Sequence, residues 1–304
     1  MKKVFVDGSA GTTGLRIVER LDARDDVERI CLPEELRKNP DARRDAIAQA
    51  DVAFLCLPDD AAREAVALAE GTDTVIIDTS TAHRVLDGWA YGFAEIGGLR
   101  EAIRGSARIA NPGCHASGFI ALIAPLVENG LLSPQTPLSC FSLTGYSGGG
   151  KKMIAQYEDA TRDVLLDAPR MYGLSQSHKH LPEMVKVCGL QTAPVFCPVV
   201  APYYAGMFVS VPLTGNVRKA AVEELYADYY RSGLVRFVKD AQEDGFLSAG
   251  TFAGRDDMQI TVCGQDGRLT LAARFDNLGK GASGAAIQNM NIRLGMEESA
   301  GLNV

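Results

Sequence analysis

The sequence predicts an α/β protein: a parallel-sheet part followed by a mixed α+β part. Short apolar runs alternate with helical patterns over the first eighty residues, which is the rhythm of βα units. Beyond residue 130 the apolar runs lengthen into strands broken by a helical pattern at 217–230. The chain has 304 residues and 46% hydrophobic content, more than one usual domain needs, so two domains are expected.

In the first part, residues 4–6, 29–32, 52–57 and 75–77 read as strands, and 15–21, 42–50 and 61–69 as helices. Residues 108–110 read as a further strand, followed by a helix over 116–125. In the second part the strands are 138–143, 195–200, 207–212, 258–263 and 269–275, and Asp266-Gly267 between the last two is a two-residue hairpin signal. A small-residue stretch at 281–286 opens a closing helix that runs to 294.

A net charge of −7 argues against nucleic acid or an anionic membrane as the main partner. The apolar run at 4–6 is too short for a signal-peptide core, and the one at 119–127 is interrupted by Pro125 and far below a bilayer span. A cytoplasmic location is therefore expected. Seven cysteines without CxxC spacing read as reduced thiols, and no metal site is expected.

One thiol stands apart. In Asn111-Pro112-Gly113-Cys114-His115, Pro112 and Gly113 break regular structure just before a helix. Cys114 should then lie in a first helical turn, where unpaired N–H groups and the dipole stabilise a thiolate. A packing role is the competing reading for such a cysteine. For Cys31, Cys56, Cys140 and Cys263, in apolar contexts, burial as small hydrophobes is expected, while Cys188 and Cys197 carry no clear signal.

Directly after the first strand comes Gly8-Ser9-Ala10-Gly11-Thr12-Thr13-Gly14, a GxxGxxG variant of the dinucleotide fingerprint leading into a helix. Glycines there allow a tight turn and close approach of a pyrophosphate. The second strand ends near Cys31-Leu32 with no acid at its tip to bind ribose hydroxyls, which favours NADP over NAD. Arg37 and Lys38 are within reach of a 2′-phosphate by sequence, although Glu34 and Glu35 weigh against that and a solvated charged face is the plainer reading.

Two of the four histidines fall in Ser177-His178-Lys179-His180-Leu181-Pro182-Glu183. As an extended segment this places His178 and His180 on one face and Lys179 on the other. Two imidazoles with Glu183 to orient one of them suit acid–base work, and the ligands are too few for a metal. A polar surface loop is the alternative.

Taken together, GSAGTTG at 8–14, DTSTAHR at 78–84, YGFAEI at 91–96, NPGCHASG at 111–118, TGYSGGGKK at 144–152, HKHLPE at 178–183 and GKGASGAAIQNMN at 279–291 resemble the N-acetyl-gamma-glutamyl-phosphate reductases. That family lies within the aspartate-semialdehyde dehydrogenase superfamily, and the compact length resembles its shorter branch. DTSTAHR departs from the commoner Asp-Leu-Ser-Ala-Asp-Phe-Arg pattern around Ser80 and Arg84. The resemblance implies a Rossmann-like dinucleotide-binding domain, discontinuous over 1–113 and 281–304, and an α+β catalytic and dimerisation domain with a mixed sheet over 114–280. It implies Cys114 as nucleophile, and acid–base function from His180 with His178 and Glu183 nearby. It further implies an NADPH site drawing on residues 8–14, on Ser147, Gly148 and Gly149 over the phosphates, and on Asn289 with Asn291 near the nicotinamide.

Arg84, Lys151 and Asn111 are the candidate substrate contacts, Lys152 is a further candidate cation, and one of the two adjacent lysines is expected to be merely solvated. The implied reaction is NADPH-dependent reduction of an acyl phosphate, with a homo-oligomer, dimer or tetramer, as the family's expected assembly. A reductase of aspartyl or N-acetyl-aminoadipyl phosphate is the near alternative, because one methylene changes selectivity only modestly. A noncatalytic NADP-binding redox sensor using Cys114 is the remote one.

Overall fold

A computed structural model describes residues 1–304, and the chain divides into two compact units. Unit 1 comprises residues 1–94, 98–112 and 282–303; unit 2 comprises 95–97, 113–281 and 304.

Unit 1 carries β1 (Lys2–Asp7), α1 (Thr12–Asp22), β2 (Val27–Ile30), α2 (Pro40–Ala48), β3 (Val52–Leu55), α3 (Asp59–Leu68), β4 (Val75–Asp78), β5 (Ala90–Tyr91), α4 (Leu99–Gly105) and β6 (Arg108–Ala110). The strands form one all-parallel sheet in the order β2-β1-β3-β4-β6-β5. β3 and β4 are buried at every position, as a parallel sheet covered on both faces requires. On one face Ile17 and Leu21 of α1 and Ile103 of α4 pack on Val4, Val6 and Phe54; on the other, Ile47 of α2 and Ala65 and Leu68 of α3 pack on Phe5, Ala53 and Leu55. Strand order reverses between β1 and β3, so the turn after β1 lies at the switch point where such sheets bind ligands.

Unit 2 carries α5 (Cys114–Glu128), β7 (Ser139–Gly145), α6 (Gly150–Glu158), β8 (Arg170–Met171), α7 (Leu181–Cys188), β9 (Val195–Ala201), β10 (Met207–Thr214), α8 (Lys219–Tyr229), β11 (Val235–Phe237), β12 (Met258–Gln265) and β13 (Arg268–Phe275). Its seven strands form a mixed sheet, β11-β12-β13-β10-β7-β9-β8. β12 and β13 pair antiparallel with Gln265 opposite Arg268, so Asp266-Gly267 is the two-residue turn the sequence predicts, with Gly267 at φ 77°. The chain then returns to unit 1 through a π-helical turn (Gly279–Ser283) into α9 (Gly284–Leu294), whose Ile287, Met290 and Ile292 join the α1 face of the parallel sheet. Within unit 2, Lys280 Nζ donates to both carboxylate oxygens of buried Glu95, at 2.9 and 2.8 Å, and Glu95 also accepts the Leu234 N–H at 3.0 Å. That pair absorbs the charges of YGFAEI and GKGASG into unit 2 structure.

α5 is longer than the helix read from sequence and passes through Pro125. Proline has no N–H, so the Ala121 carbonyl loses its intrahelical partner. The Tyr230 hydroxyl donates to that carbonyl at 2.7 Å, and Tyr226 donates to Leu122 O. Residues 115–126 are buried without interruption, which makes α5 the centre of unit 2.

Three sequence expectations are corrected. Cys31 is exposed, because β2 is a short edge strand that ends at Ile30 and leaves the next residue beyond the sheet. The 177–183 segment is a turn entering α7, with His180 at the N-cap and Pro182 in the first turn, so the two histidines meet by turn geometry and not across an extended face. Asn291 is bound into the C-terminal segment: its Nδ2 donates to Glu298 O and Ala300 O and its Oδ1 accepts from Arg24, so it is spent on packing.

Tyr230→Phe leaves a buried carbonyl without its donor, and an expected loss of about 1–3 kcal/mol should appear in urea unfolding as a lower midpoint at unchanged m value.

Candidate active site

Cys114 is the first residue of α5 and is half-buried. Gly113, at φ −81° and ψ 143°, is the N-cap and offers no side chain, and no acid lies in the first turn. The thiol therefore lies in the first helical turn at the positive end of the helix dipole, an environment that favours a thiolate. Burial acts in the opposite sense on other thiols: it pushes Cys56 up to about 12 and raises Cys140 and Cys188 further, so these stay protonated.

Glu183 joins α7 to this helix start. It is 1% exposed, and its Oε2 accepts the Gly113 N–H at 3.1 Å while its Oε1 lies 4.0 Å from His180 Nε2. One carboxylate thus holds the turn that presents Cys114 and faces the imidazole of His180. His178 is packed against His180, ring centroids 4.7 Å apart and nearly perpendicular, and its Nδ1 accepts the His180 N–H at 3.2 Å.

His115 completes the cluster. Its ring lies 5.8 Å from that of His178 and 5.5 Å from that of His180, and it is fully enclosed by α5 and the sheet. Nδ1 lies 2.6 Å from Ser142 Oγ of β7, and Nε2 lies 2.6 Å from the Tyr172 hydroxyl just after β8. Burial, with a smaller contribution from His178, pushes its pKa down from 6.5 to about 3. Burial and the charge of Cys114 raise Tyr172, which stays protonated. Sequence reasoning assigned no role to His115, Ser142 or Tyr172; the available signal was a polar residue opening an otherwise apolar helix.

The glycine loop of unit 1 has the shape of a phosphate cradle. Gly8 sits at φ 81°, where a Cβ would come within 2.2 Å of Cys56 O, and a Cβ at Gly14 would meet Gly8 O at 2.5 Å. No side chain caps α1, no acid lies in its first turn, and Thr12 Oγ1 is buried without a partner. Also in unit 1, Asn289 Nδ2 donates to Gly92 O and Asn111 Oδ1, at 2.9 and 3.1 Å, while its own Oδ1 is buried without a donor. Asn111 is held in turn by its Nδ2 on Ala282 O. These orphaned acceptors and the open cradle fit a dinucleotide. Arg37 and Lys38 are exposed.

Arg84 donates to the carbonyls of Asn111 and Thr79, at 2.9 and 3.1 Å. Its turn is fixed by buried Asp78, which accepts from the Ser80 hydroxyl at 2.7 Å and meets His83 Nδ1 at 2.6 Å, with His83 stacked on Trp89. In unit 2, Ser147 is buried and its Oγ accepts from Asn277 Nδ2 at 2.9 Å, whereas Gly148 and Gly149 are exposed. Lys151 and Lys152 are both exposed in the first turn of α6. The structure thus gathers Cys114, His178, His180 and Glu183 within unit 2, and the glycine loop, Asn111, Asn289 and Arg84 within unit 1.

The dimerisation-domain family of semialdehyde dehydrogenases matches residues 114–277, and the NAD-binding domain of the same enzymes matches 33–106. The N-acetyl-gamma-glutamyl-phosphate reductase of Brucella anthropi is 48% identical over 306 residues, covering 96% of this chain and 98% of that one. The chain belongs to the N-acetyl-gamma-glutamyl-phosphate reductase family. The Brucella ovis reductase is 47% identical, with 96% and 99% covered. Among solved structures, aspartate semialdehyde dehydrogenase II of Vibrio cholerae complexed with ASA aligns at TM-score 0.72 and 14% identity, covering 97% and 98%. The NADP-bound aspartate semialdehyde dehydrogenase of Candida albicans aligns at 0.68 and 14%, covering 96% and 98%. At such identity these two share the reductase fold and nothing finer. The fold is therefore α/β, with a Rossmann-like domain and a mixed-sheet dimerisation domain, and no helix of this family member is long and apolar enough to cross a membrane.

The His115 shift has a defined sign. The unfolded chain takes up a proton between pH 6.5 and 3 that the folded site refuses, so stability is full above 6.5 and falls as pH drops through that window, by at most about 1.4 kcal/mol per pH unit. Unfolding midpoints measured from pH 7 to pH 5 should fall less steeply for His115→Gln than for wild type.

Proposed function

We infer that this chain reduces N-acetyl-L-glutamyl 5-phosphate with NADPH to N-acetyl-L-glutamate 5-semialdehyde and phosphate, a step of L-arginine biosynthesis. The observation that carries the reading is the meeting of Cys114, His180 and Glu183 at the uncapped start of α5, in a chain 48% identical to a reductase of that name.

The residue types follow from the chemistry. Cys114 attacks the acyl carbon as thiolate, phosphate leaves with the electrons of the broken C–O bond, and the acyl group stays on sulfur as a thioester. Within unit 1 the Gly8–Gly14 turn, with Ser9, Ala10, Gly11, Thr12 and Thr13, would hold the cofactor pyrophosphate and Asn289 Oδ1 would accept from the carboxamide; Ser147, Gly148 and Gly149 of unit 2 would take the role toward the cofactor phosphates that the family resemblance implies. Bound there, NADPH supplies the hydride that takes the acyl group to the aldehyde level. His180 protonates the oxygen of the tetrahedral adduct on Cys114 and takes the proton back as the C–S bond breaks, a role worth about 10²–10⁴-fold. Glu183 orients that imidazole, and His178 buttresses it.

Arg84, anchored by two carbonyls in unit 1, and Lys151 of unit 2 are the candidate cations for the substrate's phosphate and carboxylate, and Asn111, whose carbonyl accepts from Arg84, is a further candidate contact. In this reading residues 1–113 and 281–304 form the NADP-binding domain and 114–280 the catalytic and dimerisation domain. A homo-oligomer follows from the open face of the mixed sheet, where Phe141, Leu143, Val195, Val199 and Met171 stand side by side and Phe141 is 48% exposed. The cytoplasm is the compartment in which this chemistry and its free thiols belong.

Cys114→Ser should lose about 10³-fold or more in turnover with N-acetylglutamate semialdehyde, phosphate and NADP, yet bind NADPH like wild type in a fluorescence titration; wild-type turnover would remove Cys114 from the mechanism. Phe141→Glu should sediment as a smaller species than wild type if the sheet face is the oligomer contact.

A further inference from the structure

We propose that Tyr172 is a catalytic residue that donates a hydrogen bond to the oxyanion of the tetrahedral adduct on Cys114, its proton aimed by Ser142 acting through His115. The proposal rests on the reductase reading above and adds a second donor to the one His180 provides.

The geometry is a chain of three groups. Ser142 Oγ is wholly buried on β7, and His115 Nδ1, 2.6 Å away, is its only hydrogen-bond partner. The opposite nitrogen, Nε2, lies 2.6 Å from the Tyr172 hydroxyl. Tyr172 belongs to the cluster at the start of α5: its hydroxyl lies on His115, the residue after Cys114, its ring packs edge to face on His178, and the charge of Cys114 acts on it.

Which way the protons run decides what Tyr172 is able to do. A neutral imidazole donates from one nitrogen and accepts at the other, and His115 is neutral because burial opposes its charged form. If Nδ1 carried the proton, it would donate to Ser142, and the Ser142 O–H would be left buried with no acceptor. The Tyr172 O–H would meanwhile be consumed on Nε2. If Nε2 carries the proton, Ser142 donates to Nδ1, and Nε2–H donates to the Tyr172 oxygen. The proton then left without a protein acceptor is that of Tyr172, which is half-buried, instead of that of Ser142, which is wholly buried, and this is the cheaper deficit. In that arrangement the Tyr172 O–H is the end of the chain and points away from His115, free to meet an anion.

The phenol is suited to the task. Its pKa is held above the ordinary value, so it remains a donor throughout the working range and does not itself ionise beside the thiolate. Tyr172 and His178 are packed edge to face, ring centroids 5.8 Å apart, and Tyr172 N–H is tied to Pro198 O at 3.0 Å, so the ring is positioned before substrate arrives. Ser142 and His115 touch no substrate in this scheme and are positioning residues.

The test uses the full-length enzyme in phosphate-dependent reduction of NADP by N-acetylglutamate semialdehyde. Tyr172→Phe should lower kcat by about 10²–10³-fold, the usual cost of one oxyanion donor, with KM little changed. Ser142→Ala, which releases the imidazole tautomer, should lower kcat by less, and Ser142→Thr should restore it. The Ser142→Ala, Tyr172→Phe double variant should be no slower than Tyr172→Phe alone, since both act through one proton. Iodoacetamide should alkylate Cys114 in Tyr172→Phe at the wild-type rate across pH 6–9, which separates an effect on the oxyanion from one on the thiol or the fold. Tyr172→Phe with wild-type kcat, losses that multiply in the double variant, or a slowed alkylation would each overturn the proposal. A wild type inactive with this semialdehyde would overturn the reductase reading and this proposal with it, whereas an active wild type matched by Tyr172→Phe would overturn this proposal alone.

Discussion

Burial of α5 on all sides is the constraint around which unit 2 is organised. Twelve consecutive residues of that helix have no solvent-facing position, so every polar group on it needs an internal partner. The carbonyl orphaned by Pro125 takes the Tyr230 hydroxyl, Ser117 Oγ returns to Gly113 O at 3.1 Å, and His115 is matched at both nitrogens. Cys114 stands at the N-terminus of this helix, where Glu183 accepts the Gly113 N–H.

The same economy appears at Glu183. A buried carboxylate is costly unless it is hydrogen-bonded, and this one answers a backbone N–H at the turn before Cys114 with one oxygen while the other faces an imidazole. It links a strand-to-helix turn and a separate helix start into one rigid unit, so the thiol and the histidine are presented together without either being on a long loop. Lys280 and Glu95 make a second buried pair in unit 2, where the bidentate contact and an added backbone donor offset the desolvation of both charges.

The chemical parts of the site were legible in the sequence wherever backbone geometry announces itself. Pro112-Gly113 before an apolar helix located Cys114, the glycine run after a first strand located the phosphate cradle, and Asp266-Gly267 located a hairpin. Legibility failed where neighbours in space, not in sequence, decide the outcome. Cys31 looked apolar from its neighbours, but its strand is at the sheet edge and stops one residue earlier. His178 and His180 have a two-residue spacing that reads as one face of a strand, yet Pro182 starts a helix and turns them together. Asn289 and Asn291 are two apart on α9 and so face different ways: one lies beside Asn111, the other is consumed by the C-terminal segment.

By itself the sequence determined the α/β class, the glycine turn, the position of Cys114 at a helix start and the family, because each rests on local rules of backbone and period that act within a few residues, or on motifs kept in order along the chain. Only the tertiary structure decided what surrounds that thiol. Ser142, Tyr172 and His115 come from a strand, a loop and a helix, and their meeting depends on which faces those elements bury against one another. The state of a buried proton follows from the partners packed around it, and no window of sequence contains them.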